Sequence, residues 1–139
     1  MVDQNCAYCV EGDLVAKVGI KICELETSKV YLFKEQSHPG RCIVAHKKHV
    51  GDMNELTAEE RAAYFEDVAR VARAIMAAFH PDKVNYGAYG DTGHHLHFHL
   101  CPKYKDEFEW GGVFLMNPDK KYLTDAEYAE MIEKIKANM

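Results

Sequence analysis

Histidine occupies every second position of His95-Leu96-His97-Phe98-His99, and this run constrains the chain more than any other feature. Successive side chains on a strand point to opposite faces. The three imidazoles would therefore share one face, and Leu96, Phe98 and Leu100 would enter a core on the other. An expression tag would not carry that alternation. With eight histidines in 139 residues, such a triplet does not arise readily by chance.

Three readings of the imidazole face compete. It is a surface strand that happens to carry histidines, or a metal centre, since imidazoles two apart on a strand can bind one Zn²⁺. The third, nucleophilic catalysis, accounts for most of the pattern. An imidazole nitrogen can attack phosphorus and leave as a neutral group near physiological pH. A neighbouring imidazole can handle the proton or steady the phosphoryl oxygens.

The rest of the chain supplies an α+β framework. Val15 to Leu25 alternates, with Val18, Ile20 and Ile22 on one side, and predicts a half-buried strand. Lys29-Val30-Tyr31-Leu32-Phe33 predicts a second. Ser37-His38-Pro39-Gly40 is a turn signal before the short buried strand Cys42 to Ala45. Thr57 and Glu60 have capping-box spacing and open a long helix. Its apolar stripe is read as Ala62, Phe65, Ala69, Ala72, Met76 and Phe79, widened by Val68 and Ile75, with Arg61, Glu66, Asp67, Arg70 and Arg73 on the other side. Pro81 ends it. Val84-Asn85-Tyr86 predicts a strand leading into the glycine-rich stretch Gly87 to Gly93. A second capping box, Thr124 with Glu127, opens a C-terminal helix. The expected architecture is an antiparallel sheet of about five strands with one long central helix and a C-terminal helix, in a single domain over residues 1–139.

Composition narrows the partners. A formal net charge of −5 argues against a duplex nucleic acid held by a broad basic face. No run approaches the roughly 20 apolar residues that span a bilayer. The start lacks the regions of a signal peptide, so a cytoplasmic protein is expected. An odd count of five cysteines then points to reduced thiols. Cys23 and Cys42 read as small core residues. Cys6 and Cys9 alone could be a metal half-site, a redox pair or a coincidence.

His-x-His-x-His with two further residues resembles the signature of the histidine triad proteins, nucleotide hydrolases and transferases. Gly90-Asp91-Thr92 lies where many of them have Gly-Gln-Ser or Gly-Gln-Thr. Gly40-Arg41-Cys42-Ile43-Val44-Ala45 with Lys47-Lys48-His49 resembles their upstream strand, and Cys6-Ala7-Tyr8-Cys9 resembles the start of many bacterial members. The resemblance covers about residues 6 to 104. It implies that His97 is the nucleophile of a covalent nucleotidyl-histidine, that His99 contacts the phosphoryl group or leaving atom, and that His95 completes the triad. It further implies that Thr92 binds a phosphate oxygen, while the loop at Gly90 brings backbone amides to the phosphate. The same resemblance implies a structural zinc on Cys6, Cys9, His49 and His95, with no organic cofactor.

Two positions depart from the pattern. Arg41 stands where many members carry a fourth histidine; as a bidentate donor it could bind phosphate, or it could be a solvated strand-end residue. Asp91 stands where glutamine is usual, and an anion beside a phosphate is unfavourable unless Arg41 or a cationic leaving group compensates it. Asp91 is therefore expected to alter leaving-group choice, toward amines over polyphosphates. Trp110 is a candidate for packing over the leaving group, with core or interface packing as the alternative. Phe33 and Ile43 could line a base pocket or be plain core. The implied substrate is a purine nucleoside monophosphate, AMP in the first instance, joined to a phosphoramidate, acyl or polyphosphate leaving group. The implied assembly is a homodimer. The alternative is a non-catalytic purine nucleotide-binding zinc protein.

Overall fold

The computed structural model describes residues 2–139. Two single-turn helices, α1 (Ala7–Val10) and α2 (Asp13–Ala16), precede β1 (Gly19–Glu24), β2 (Ser28–Phe33) and β3 (Cys42–His46). The long helix α3 (Ala58–Phe79), β4 (Lys83–Gly87), β5 (His97–Lys103) and α4 (Asp125–Ala137) follow. The strands form one antiparallel sheet, as the alternating runs predict, in the order β1-β2-β3-β5-β4. Only the first boundary differs in kind: Val15 lies in α2 rather than in the strand, and is buried beside Tyr8.

Alternation along the strands separates two apolar layers. Val30, Leu32, Cys42, Val44, Leu96, Phe98 and Leu100 enter the layer under α3 and α4. Tyr31, Phe33, Ile43 and Ala45 enter the opposite layer, with Tyr8 and Val15 from the N-terminal helices. His97 and His99 belong to this second face: Tyr8 and Phe33 pack against their rings with centroids 5.0 and 5.3 Å apart.

Both capping boxes form. Thr57 Oγ1 accepts from the Glu60 amide, and Glu60 returns the bond to the Thr57 amide at 2.8 Å. Thr124 and Glu127 do the same for α4. The central helix is rotated relative to the stripe read from its sequence. Tyr64, Val68, Val71, Ala72 and Ile75 are buried, whereas Phe65 and Met76 lie on the exposed edge, both 41 % accessible. The helix is apolar around more than half its circumference, so periodicity alone cannot choose the centre of the buried arc. Asp67 lies within that arc, not on the solvent side. Its Oδ2 accepts from the Thr27 amide, the Thr27 hydroxyl and the Ser28 hydroxyl at 2.7–2.9 Å, tying the β1–β2 turn to the helix.

One glycine sets up the site. Gly40 has φ +95°, and a Cβ there would stand 2.6 Å from the Phe79 ring. Only glycine makes this turn without strain, and the turn delivers Arg41 to the head of β3.

Candidate active site

β5 begins at His97, not at His95. His95 sits in a turn, its amide donating to the Gly93 carbonyl at 2.7 Å. Leu96 nevertheless continues the ladder, donating to Val50 O and accepting from His46 N. The alternation thus extends past the strand end, and all three imidazoles stay on one face.

Each ring is held by a different partner behind it. His95 Nε2 donates to the His46 carbonyl at 2.6 Å, which leaves Nδ1 with its lone pair. His97 Nδ1 donates to the His95 carbonyl at 2.6 Å, which leaves Nε2 with its lone pair. His99 Nδ1 lies 3.0 Å from Nη2 of Arg41. Burial lowers the basicity of all three: His95 to about 4 and His99 to about 3, with the Arg41 charge adding to the effect at His99. His97 is also lowered, by burial. The unprotonated imidazole that a nucleophile needs is therefore the resting state.

The N-terminal cysteines meet two of the histidines. Cys6 Sγ lies 3.3 Å from His95 Nδ1, Cys9 Sγ 3.2 Å from His49 Nδ1, and the two Nδ1 atoms 3.1 Å from each other. One donor atom from each of these four residues falls within 4.8 Å of all the others. Two sulfurs and two nitrogens in that arrangement suit a four-coordinate zinc. The His46 carbonyl behind His95 is the outer partner such a ligand requires.

Two cavities adjoin His97, and both are lined by parts of the loop 88–93. One, of about 390 Å³, is bordered by Gly51, Asp52, Met53, Gly90, Asp91 and His94. The other, of about 580 Å³, is bordered by Tyr8, Tyr89, Asp91, Thr92 and Gly93, and by Val113 to Met116. Asp91 borders both, and Gly90 and Thr92 border one each, so the loop residues picked out from the sequence do surround His97.

Four other candidates stand elsewhere. Arg41 is wholly buried rather than solvated, and borders neither cavity. It points behind His99, where the Leu115 and Met116 carbonyls accept from it. Phe33 and Ile43 form the buried floor beneath the triad, Phe33 edge-on to His99 and under the Arg41 guanidinium. Trp110 lies on a separate cleft with Lys83, Asn85 and Lys103, so within the protomer it does not cover His97. The residues that occupy its expected place are Val113, Phe114, Leu115 and Met116. They arrive there because segment 109–121 folds back over the sheet face. Glu109 accepts from His38 Nε2 at 2.6 Å, and Glu35 accepts from the amides of Lys120 and Lys121. Those contacts join residues more than 70 positions apart, and no local pattern announces them. Tyr8, which packs on both His95 and His97, was similarly hidden as an ordinary residue between two thiols.

Comparison with known proteins agrees with the geometry. A family model described as HIT domain matches residues 19–106. "Protein hit" of Bacillus subtilis is 29% identical over 123 residues, 84% of this chain and 83% of its own length. Adenosine 5'-monophosphoramidase hnt1 of Schizosaccharomyces pombe is 28% identical over 116 residues, 77% of this chain and 80% of its own. Among solved structures, a histidine triad protein from Sinorhizobium meliloti superposes with a TM-score of 0.84 at 21% identity, covering 92% of this chain and 95% of that one. A zinc-bound histidine triad protein from Mycobacterium smegmatis superposes at 0.68 with 22% identity, covering 96% and 92%. From the domain match, the shared fold and a triad strand of this geometry, the chain belongs to the histidine triad (HIT) family of nucleotide hydrolases and transferases.

Proposed function

We propose that this protein cleaves a nucleoside monophosphate, AMP in the first instance, from a phosphoramidate, acyl or polyphosphate leaving group through a covalent nucleotidyl-histidine at His97. The observation that carries this reading is the hydrogen bond from His97 Nδ1 to the His95 carbonyl. It aims the proton backward and leaves the Nε2 lone pair as the nucleophile. In the first step Nε2 bonds to phosphorus and the bond to the leaving group breaks, its electron pair departing with that group, which takes up a proton. The ring becomes cationic, and the same carbonyl, accepting from Nδ1–H, stabilises it. Water then attacks phosphorus and gives up a proton to the medium, replacing the one the leaving group drew from it, the P–N bond breaks, and neutral His97 is restored. His99 contacts the phosphoryl group, Thr92 binds a phosphate oxygen, and the loop at Gly90 brings backbone amides to it.

Cys6, Cys9, His49 and His95 are proposed to hold a structural zinc, with no coordination position left for water. It would anchor α1 to the triad and supply no chemistry to the reaction. No organic cofactor enters this scheme. The five cysteines are free, in keeping with a cytoplasmic setting. No helix among the described residues is long and apolar enough to cross a membrane. A homodimer along β4 is also part of the proposal: this strand is at the sheet edge, and Phe65, Met76 and Tyr86 are exposed around it. Light scattering of the purified protein tests that part, and a monomer at micromolar concentration rejects it.

The deciding experiment is AMP release from an adenosine phosphoramidate and from a diadenosine polyphosphate, wild type against His97→Ala. Turnover by the wild type, slowed by several orders of magnitude in the variant, supports the proposal. AMP binding with no turnover of either substrate replaces it with a non-catalytic nucleotide-binding zinc protein.

A further inference from the structure

We propose that Arg41 is a positioning residue that fixes the tautomer of His99, holding Nδ1 bare and Nε2 protonated for the phosphoryl group. The role of Nε2 rests on the phosphoryl-transfer reading above; the tautomer does not.

Arg41 is an unusual occupant of its site. It is fully buried and makes no ion pair among the described residues. Nη1 donates to the Leu115 carbonyl at 3.1 Å, and Nη2 to the Met116 carbonyl at 2.8 Å. The guanidinium carbon stands 4.1 Å from the Phe33 ring centroid and 4.9 Å from that of Phe114. Nε finds no partner. Burying a cation among neutral acceptors costs several kcal/mol, and an apolar side chain of similar length would fill the space without that cost. Apart from a long contact of Nη2 with Met116 Sδ at 3.5 Å, what the guanidinium adds is a bond from Nη2 to His99 Nδ1 at 3.0 Å.

A guanidinium only donates and does not lose its proton. His99 Nδ1 must therefore accept, which needs a lone pair. That excludes the Nδ1–H tautomer and the imidazolium alike, and the ring's single proton goes to Nε2. A histidine at position 41 could donate or accept and would leave the choice open. Nε2 of His99 has no hydrogen-bond partner among the described residues and is not among their fully buried unpaired atoms, so it is the ring nitrogen left for a ligand, although His99 itself borders neither cavity. The triad then meets a phosphoryl group with opposite polarities: a lone pair on His97 Nε2 for phosphorus, and an N–H on His99 Nε2 for an oxygen. In the other tautomer, two lone pairs would face an anionic substrate.

Two-bond ¹H–¹⁵N correlation spectra of the full zinc-loaded protein, labelled at histidine, read the tautomer directly at neutral pH. His99→Asn assigns the signals by their loss. Wild type is expected to show His99 with bare Nδ1 and protonated Nε2. Arg41→Met is expected to mix or reverse the tautomers and to lower kcat about 10²-fold, the effect of losing one oriented donor, with little change in KM. Arg41→Lys, also donor-only, is expected to retain the wild-type pattern and recover part of kcat. A wild-type His99 protonated at Nδ1 overturns the proposal even if no variant folds. So does a folded Arg41→Met protein whose His99 pattern is unchanged, whatever its kcat. Absence of turnover in wild type would remove the functional reading and leave the spectra to decide the tautomer.

Discussion

The carbonyl oxygen of His95 holds Nδ1 of His97 at 2.6 Å, while the ring of His95 reaches the cysteine pair, its Nδ1 3.3 Å from Cys6 Sγ. One residue thus belongs to both clusters, through its backbone in one and its side chain in the other. The four-donor cluster and the His97 ring are separated by a single residue's own atoms, so order in the first steadies the second.

That link predicts the result of metal removal. The purified protein should contain about one zinc per chain, and less in Cys9→Ser or His49→Ala. His97→Ala should keep its zinc, because His97 is not among the four donors. Binding at 1,000 times Kd contributes roughly 4 kcal/mol, so chelation should lower the Tm by about 10 °C. Activity should fall only in part, because the acceptor for His97 is a backbone carbonyl that survives loss of the metal. Elemental analysis, a thermal scan and the AMP-release assay on one chelated sample check all three, and zinc lost with His97 would count against the assignment.

The buried triad also predicts a pH dependence of stability. His99 has a folded-state pKa of about 3, lowered by burial and then by Arg41; the unfolded value is about 6.5. Above pH 6.5 both states hold a neutral ring and this group contributes nothing to the slope. Below it the unfolded chain binds a proton that the folded one refuses, so stability falls with pH until about pH 3. The slope from one such group reaches about 1.4 kcal/mol per pH unit. Urea unfolding of wild type and His99→Asn between pH 7 and pH 4 should give a shallower slope in the variant by about that amount. Equal slopes would mean that His99 is protonated in the folded protein.

Residues that act through local pattern were legible in the sequence, and residues that act across the fold were not. Thr57 with Glu60 and Thr124 with Glu127 are separated by three positions, and both boxes form where the spacing puts them. The alternation at Leu96, Phe98 and Leu100 fixed the core face of β5 in the same way. Arg41 is the counter-example. Its charge argues for solvent or phosphate, and only the return of segment 113–116, more than 70 positions later, gives it carbonyls to bond. Trp110 stands apart from His97 through the same segment, because the position of that chain reversal is set by the Glu109 contact to His38 and by Lys103, which donates to the Glu109 and Gly112 carbonyls. The phase of α3 failed for a different reason: Asp67 looks like a solvent residue until the β1–β2 turn brings three donors to it.

Asp67 accordingly predicts a stability defect without a catalytic one. Asp67→Ala leaves the Thr27 amide and two hydroxyls without their acceptor in a buried site. Each lost partner costs of the order of 1 kcal/mol or more, so the variant should lose about 2–4 kcal/mol in denaturant unfolding. The helix lies on the face of the sheet opposite the triad, so kcat and KM at a temperature where the variant is folded should match wild type. A large fall in kcat in the folded variant would contradict this separation of the two faces.

Asp91 predicts a preference among leaving groups. It is exposed on the loop 88–93 and borders both cavities next to His97. Arg41, the cation that the sequence offered to balance it, is buried behind His99 and does not reach it. The compensating charge is then left to the leaving group, which favours a protonated amine over a polyphosphate. At an exposed site the interaction is about 1 kcal/mol, or roughly fivefold in rate. Asp91→Gln should therefore shift the ratio of amine phosphoramidate to diadenosine polyphosphate cleavage about fivefold toward the polyphosphate. The difference between wild type and variant should shrink at 1 M salt, where exposed charges are screened within about 3 Å. An unchanged ratio at low salt would show that the carboxylate does not sense the leaving group.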